Sequence, residues 1–242
     1  MKIDLHLTPV PLSKAATENK TVVVIDVLRS STSICAALMA GARGVIPTPG
    51  PGEAGDMWSK IGHDMAVLAG ERSGVKIENF ALGNSPREFV EETVGGKFVI
   101  MTTTNGTALF GRTYNAHPVL SCALTNMSMV AQRVADEDQD VIIACSGREG
   151  HFSIEDTICG GMLVHLLREK HGKQIKQNDA CTLALLLYQT NRDSIGPTIE
   201  DGEHGRFLAS IGFAEDVAIA CAVDSMPVLP ILKDGRLVVE SS

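Results

Sequence analysis

The chain has 242 residues, 44% hydrophobic and 21% charged, the make-up of an ordinary globular protein with a substantial core, which excludes disordered, collagen-like and coiled-coil classes. Twenty-one Lys and Arg against 29 Asp and Glu leave a net charge of −8, and only one Trp, two Tyr and seven Phe are present. A nucleic-acid binder needs a basic face and stacking rings, so nucleic acid is excluded as the expected partner.

In chain order, strands are predicted at Lys2–Leu7 and Thr21–Val27, the second β-branched on both faces as a buried parallel strand requires, followed by a helix from Thr32 to Ala40 closed by Gly41. A strand at Val45–Thr48 runs into the cluster Pro47-Thr48-Pro49-Gly50-Pro51-Gly52, read as a rigid turn rather than an interdomain linker, and a helix at Glu53–Ile61. Next come a strand at Ala66–Ala69, a helix at Pro86–Thr93, a strand at Lys97–Thr103 and a helix at Asn105–Gly111. A strand at Val119–Cys122, a helix at Met127–Glu137, a strand at Asp140–Cys145 and a long helix from about Ser153 to Lys170 follow. Helices at Asp179–Asn191 and Gly202–Ile211 and a strand at Val228–Leu232 complete the chain. Strands alternating with helices predict a three-layer α/β/α fold with a mainly parallel or mixed central sheet, in one domain spanning residues 1–242; a helical subdomain in the last third is left open.

Apolar runs such as Leu183–Tyr188 all fall far short of the ~18 residues of a membrane span, so no membrane partner is expected. Met1-Lys2-Ile3-Asp4 is charged where a secretory signal is apolar, which predicts a cytoplasmic protein. The six cysteines form no Cys-x-x-Cys pair and sit mostly in apolar runs, which suits reduced core thiols better than disulfides or zinc.

In open parallel sheets ligands bind beyond the carboxyl ends of the strands, and here those positions are polar. The first is Asp26-Val27-Leu28-Arg29-Ser30-Ser31-Thr32, a carboxylate, an arginine and hydroxyls opening a helix whose free N–H groups favour an anion; Ser30 or Ser31 serves equally well as a helix cap. The second is Thr102-Thr103-Thr104-Asn105-Gly106-Thr107, a phosphate cradle or an ordinary Asn-Gly turn. The third, Ser146-Gly147-Arg148-Glu149-Gly150 with Ser153, Glu155 and Asp156, also fits a capped helix start. Gly70-Glu71-Arg72-Ser73-Gly74 and Leu82-Gly83-Asn84-Ser85-Pro86 add two more polar clusters. No P-loop, dinucleotide fingerprint, Asp-x-Asp pair or cysteine-phosphatase loop is present. What remains is carboxylates for a hard divalent cation, arginines for anions and hydroxyls for phosphate oxygens.

These five motifs, taken in chain order with Glu155-Asp156-Thr157 completing the last, and a late Asp224 as a sixth, resemble the 2-phosphosulfolactate phosphatases, the ComB family, across nearly the whole chain. The resemblance implies an α/β enzyme that hydrolyses (2R)-2-phospho-3-sulfolactate to (2R)-3-sulfolactate and phosphate with Mg²⁺, as in coenzyme M biosynthesis. The expected catalytic residues are Asp26, Arg29, Arg148 and Glu149. Expected to bind the small anionic phosphorylated substrate are Ser30, Ser31, Arg72, Asn84, Ser85, Thr103, Thr104, Asn105, Gly106 and Arg206, and to ligate Mg²⁺, Asp26, Glu155 and Asp156 with Glu71 in reserve. An oligomer is compatible with this reading. Asn79-Phe80-Ala81 replaces the family's usual Gly-Phe-Asp and Ser73 a common glycine, so no acid at position 81 takes part. The alternatives are a phosphatase for another small phosphorylated hydroxy acid and a sensor that holds such a metabolite without turnover.

Overall fold

The computed structural model describes residues 1–9, 12, 14–111, 113, 116–137, 139–171 and 175–240. Its strands are β1 (Lys2–His6), β2 (Thr21–Ile25), β3 (Gly44–Pro47), β4 (Ala66–Arg72), β5 (Val75–Lys76), β6 (Phe98–Thr102), β7 (Val119–Cys122), β8 (Val141–Cys145), β9 (Lys176–Gln177), β10 (Pro230–Lys233) and β11 (Arg236–Val239). The helices are α1 (Lys14–Thr17), α2 (Ser30–Met39), α3 (Pro51–Ile61), α4 (Glu91–Val94), α5 (Gly106–Phe110), α6 (Met127–Glu137), α7 (Ile154–His171), α8 (Asp179–Asn191), α9 (Ile195–Glu200), α10 (Glu203–Ser210) and α11 (Ala214–Ala220). Thr48, Pro49 and Gly50 join β3 to α3, with Pro51 in the first turn of the helix, so the Pro/Gly cluster is a tight connection.

The strands form one mixed sheet in the order β5-β4-β6-β3-β11-β10-β7-β2-β8-β1-β9. It consists of two parallel blocks. β9, β1, β8, β2 and β7 run one way, whereas β3, β6 and β4 run the other. The antiparallel hairpin β10–β11 joins them, pairing with β7 at Ile231↔Leu120 and with β3 at Leu237↔Val45. Its Asp234 and Gly235 both have positive φ, 50° and 76°, the two left-handed residues that a tight hairpin turn of matching twist requires.

Alternation along β2 divides the core. Val23 and Ile25 pack with Leu163, Val164 and Leu167 of α7, Val130 and Val134 of α6, and Cys181, Ala184 and Leu185 of α8, while Val22 and Val24 face Ile34, Ala37 and Leu38 of α2. Every residue of α2 from Ser30 to Leu38 is buried. The helix rests on β3, β7, β10 and β11, so it fills the hollow where the twisting sheet turns from one block to the other. Helices on both faces complete the three-layer α/β/α arrangement. Among the described residues no helix is long and apolar enough to cross a membrane, and all six cysteines are free, five of them buried.

The helix expected over Pro86–Thr93 is instead a 3₁₀ turn, Pro86–Glu88, followed by α4. Phe89 and Val94 both anchor in the core, and non-helical backbone at Phe89 and Val90 breaks the segment in two.

Candidate active site

Because α2 sits between the blocks, the loops that follow β2 and β8 meet those that follow β4 and β6. Glu149 N–H donates to Asn105 Oδ1 at 3.2 Å, joining the loop after β8 to the loop after β6. Glu71, near the end of β4, accepts from Thr104 N–H on Oε1 at 2.7 Å and from Gly74 N–H on Oε2 at 2.8 Å. Between these loops lies a cleft lined by Asp26, Leu28, Arg29, Glu71, Ser73, Gly74, Asn84, Thr103, Thr104, Asn105, Arg148, Glu149, His204, Phe207 and Leu208.

Asp26 forms its floor. The side chain is buried, with Oδ1 accepting from Ser30 N–H at 3.1 Å. Burial pushes the carboxyl up to about 6; the Ser30 N–H and the charge of His204 oppose the rise, and Glu71 adds to it. Gly106 lies against the other oxygen so closely that a Cβ there would sit 2.2 Å from Asp26 Oδ2 and 2.4 Å from Ser30 Oγ. Glycine is therefore the one residue that lets the start of α5 approach the carboxylate. Thr103 and Thr107 cap that same turn reciprocally, each hydroxyl accepting from the other's N–H at 3.2 and 3.1 Å.

The cleft's two arginines are each held by a carboxylate and a phenyl ring from the C-terminal helices. Arg29 donates to Asp216 Oδ2 at 2.7 Å and to Gly74 O at 2.8 Å, and its guanidinium lies 4.3 Å from the centroid of Phe213. Arg148 donates to Glu203 Oε1 at 3.0 Å and lies 4.6 Å from the centroid of Phe207. His204 Nδ1 is 2.8 Å from Glu155 Oε1. An ionised carboxylate only accepts, so Nδ1 carries the hydrogen and Nε2 is the ring nitrogen left for the cleft.

The structure thus brings Asp26, Arg29, Glu71, Asn84, Thr103, Thr104, Asn105, Arg148 and Glu149 to one cleft, with Ser30 and Gly106 against Asp26 beneath it. It gives other work to the rest. Ser31 Oγ accepts from Asp26 N–H and bonds Ser121, fixing the end of β2. Ser85 Oγ donates to Asp216 Oδ1 at 2.7 Å. Arg72 points along the loop to Glu71 O and Thr102 Oγ1, and Arg206 is exposed and bonded to Asp201 O; neither lines the cleft. Asp224 accepts from Ser128 N–H and Oγ at the start of α6, an exposed helix cap.

All four expected metal ligands have engaged oxygens, Asp26 through Ser30 N–H on Oδ1. Asp156 accepts from Val27 N–H, Ser146 Oγ and Gly147 N–H, tying the loop after β8 to the loop after β2. Burial, with Glu155 and Asp26 nearby, raises its carboxyl well above the usual range. Glu71 staples the 74 and 104 loops, and Glu155 holds His204. Among the described residues no three His, Cys, Asp or Glu side chains converge as a metal-holding group. Two buried oxygens of this region nevertheless have no hydrogen-bond partner, Ser30 Oγ and Asn84 Oδ1. With the Asp26 carboxylate they make an all-oxygen donor set, which suits a hard cation that keeps waters and substrate oxygens as its remaining ligands.

Residues that sequence reasoning missed come from α10 and α11: His204, Phe207 and, fully buried, Asp216. Asp216 reads as an ordinary first-turn acid of a helix, and nothing local marks His204.

Residues 6–235 match the family described as 2-phosphosulpholactate phosphatase. A protein of Clostridium acetobutylicum named probable 2-phosphosulfolactate phosphatase is 35% identical over 98% of this chain and 100% of its own length. Proteins of the same name from Caldanaerobacter subterraneus subsp. tengcongensis and Carboxydothermus hydrogenoformans are each 36% identical, over 90% and 100% of this chain and 90% and 98% of theirs. A single cleft to which the five polar clusters at the strand ends all contribute agrees with these matches: the chain belongs to the 2-phosphosulpholactate phosphatase family, and is a phosphoric monoester hydrolase.

Proposed function

We propose that the protein hydrolyses 2-phospho-3-sulfolactate to 3-sulfolactate and phosphate in a Mg²⁺-dependent reaction, as a cytoplasmic step of coenzyme M biosynthesis. The observation that carries this reading is the buried Asp26 carboxylate at the floor of a cleft with two arginines and a histidine in its walls. The substrate's phosphate, sulfonate and carboxylate need several donors at short range, and at physiological salt the overall charge of −8 is screened beyond ~8 Å, leaving these local groups in control.

Asp26, with Asn84 of the same cleft and Ser30 Oγ beneath it, would hold the cation, whose charge offsets that of a carboxylate burial otherwise penalises. Bound there, Mg²⁺ supplies positive charge to the phosphoryl oxygens. Arg29, fixed by Asp216 and Phe213, offers a preorganised guanidinium with donors to spare, and Arg148 offers a second. Thr104 and Asn105 orient the substrate at the rim, while Leu28, Phe207 and Leu208 exclude water from the wall. As an attacking oxygen, ultimately water's, bonds phosphorus and the P–O bond to the hydroxy acid breaks, the departing oxygen takes a proton, and His204 Nε2, oriented through Nδ1 by Glu155, is the group able to place it.

The test is phosphate release from a panel of phosphorylated hydroxy acids by metal-depleted enzyme, with and without Mg²⁺, for the wild type and Asp26→Asn. Expected are turnover of 2-phosphosulfolactate above the rest, loss on chelation, recovery with Mg²⁺, and a kcat lower by orders of magnitude in the variant. Full turnover without metal removes the cation, a better substrate removes the sulfolactate assignment, and tight binding without release makes the protein a sensor.

A further inference from the structure

The two cleft arginines are mounted alike but in opposite surroundings. Each has a phenyl ring against its guanidinium and a carboxylate at hydrogen-bond distance, Phe213 with Asp216 for Arg29 and Phe207 with Glu203 for Arg148. Arg29 and Asp216 are sealed, their side chains 3% and 0% exposed. Such a pair does not open, because parting it leaves a buried charge without a partner. In the other pair Arg148 is 19% exposed and Glu203 86%. An exposed pair of this kind contributes little, so its carboxylate is easily exchanged for another anion. Phe207 stays beneath the guanidinium when Glu203 leaves, keeping the arginine in place. Arg148 and Glu203 also line the neighbouring depression formed with His151, Phe152 and Ile154, which is continuous with the cleft through Arg148, Glu149 and His204.

We propose that Glu203 is a placeholder: it occupies the Arg148 guanidinium in the free enzyme and is displaced by the substrate's second acidic group, the sulfonate or carboxylate remote from the transferring phosphate. Glu203 is thereby a specificity-determining residue. It sets a threshold that only a ligand with an acid at the right distance from its phosphate overcomes, whereas Arg29, permanently paired, serves every phosphate ester alike. This rests on the phosphatase reading above.

The experiment compares the wild type and Glu203→Gln on 2-phosphosulfolactate and on phenyl phosphate, which has no second acid, and measures 3-sulfolactate binding by calorimetry. Glutamine keeps the size and removes the competing charge, and the exposed position leaves folding intact, checked by thermal unfolding. Expected is a fall of about two- to five-fold in the ratio of KM for the diacid to KM for phenyl phosphate, the range an exposed ion pair supports, with kcat held, tighter 3-sulfolactate binding, and no such change when Glu203→Gln is added to Arg148→Ala. An unchanged ratio, an equal KM change for both substrates, or the same effect without Arg148 overturns the proposal. If neither ester is hydrolysed, the activity assignment falls, and the calorimetric comparison still decides the placeholder: unaltered affinity of Glu203→Gln for 3-sulfolactate refutes it.

Discussion

The close approach of α5 to Asp26 makes Gly106→Ala the most informative single substitution. The added methyl would lie 2.2 Å from Asp26 Oδ2 and 2.4 Å from Ser30 Oγ, against a comfortable separation of ~3.5 Å, so one partner must retreat by about 1 Å. Neither yields cheaply: Asp26 Oδ1 is tied to Ser30 N–H, and the start of α5 is tied by the reciprocal Thr103–Thr107 bonds. Overpacking of this kind costs about 1–3 kcal/mol, which for a chain of this size lowers Tm by roughly 3–10 °C. The larger effect is on turnover, since a reacting group displaced by ~1 Å can lose ~10²-fold in rate. Phosphate release at saturating Mg²⁺ gives kcat, and thermal unfolding with circular dichroism shows that the fold survives. A Gly106→Ala protein with kcat within about three-fold of wild type and an unchanged Tm would show that Asp26 is not held by this contact.

Three further outcomes follow from the buried charges. Asp26 has a folded pKa of about 6 against an ordinary 3.8, so above pH 6 its charge costs stability, up to about 3 kcal/mol, and the cost is relieved as pH falls from about 6 towards 4. In chelator, Asp26→Asn should therefore be more stable than wild type at pH 8, with the gap closing near pH 4; a gap independent of pH in Tm measurements contradicts the assignment. Asp216→Ala strands Arg29 in a buried site and frees Ser85 Oγ, so a loss of about 3–5 kcal/mol, roughly 10 °C in Tm, is expected together with a raised KM. Arg29→Met with Asp216→Leu should recover much of the stability and none of the activity, and recovery of both would relieve Arg29 of its role.

Much of this architecture was legible because its elements have a clean period. Met127–Glu137, Asp179–Asn191 and Val119–Cys122 have the predicted bounds, each with an apolar pattern of the right repeat and a polar stop. The hairpin β10–β11 was seen only in its first strand, although Asp234-Gly235 is the turn signal that announces the second. In the cleft, Asp26, Thr104, Asn105 and Arg148 could be read because parallel strands deliver residues at their carboxyl ends. Local periodicity explains two of the misplacements. Glu71 faces the loops that make the cleft and Arg72, one residue along a strand, takes the other side; His204 lies on the cleft and Arg206, two residues along a helix, turns away. Asp216 was out of reach, since its partner Arg29 is 187 residues distant and only the packing of α11 brings them together.

The seam between the two strand blocks has a consequence for how the chain reaches its native state. β3 and β7 precede by more than a hundred residues the hairpin that separates them, and each meets it at one registered pair. Until that hairpin arrives, both strands present an open edge, and α2 lacks part of the surface that buries it. Such long-range closure is slow, because loop entropy is spent before the contacts form. A chain that has not yet closed the hairpin carries two unpaired edges able to recruit a second molecule. The hairpin is thus the clasp of the molecule, and its lateness in the sequence makes assembly, rather than the finished fold, the stage most exposed to aggregation.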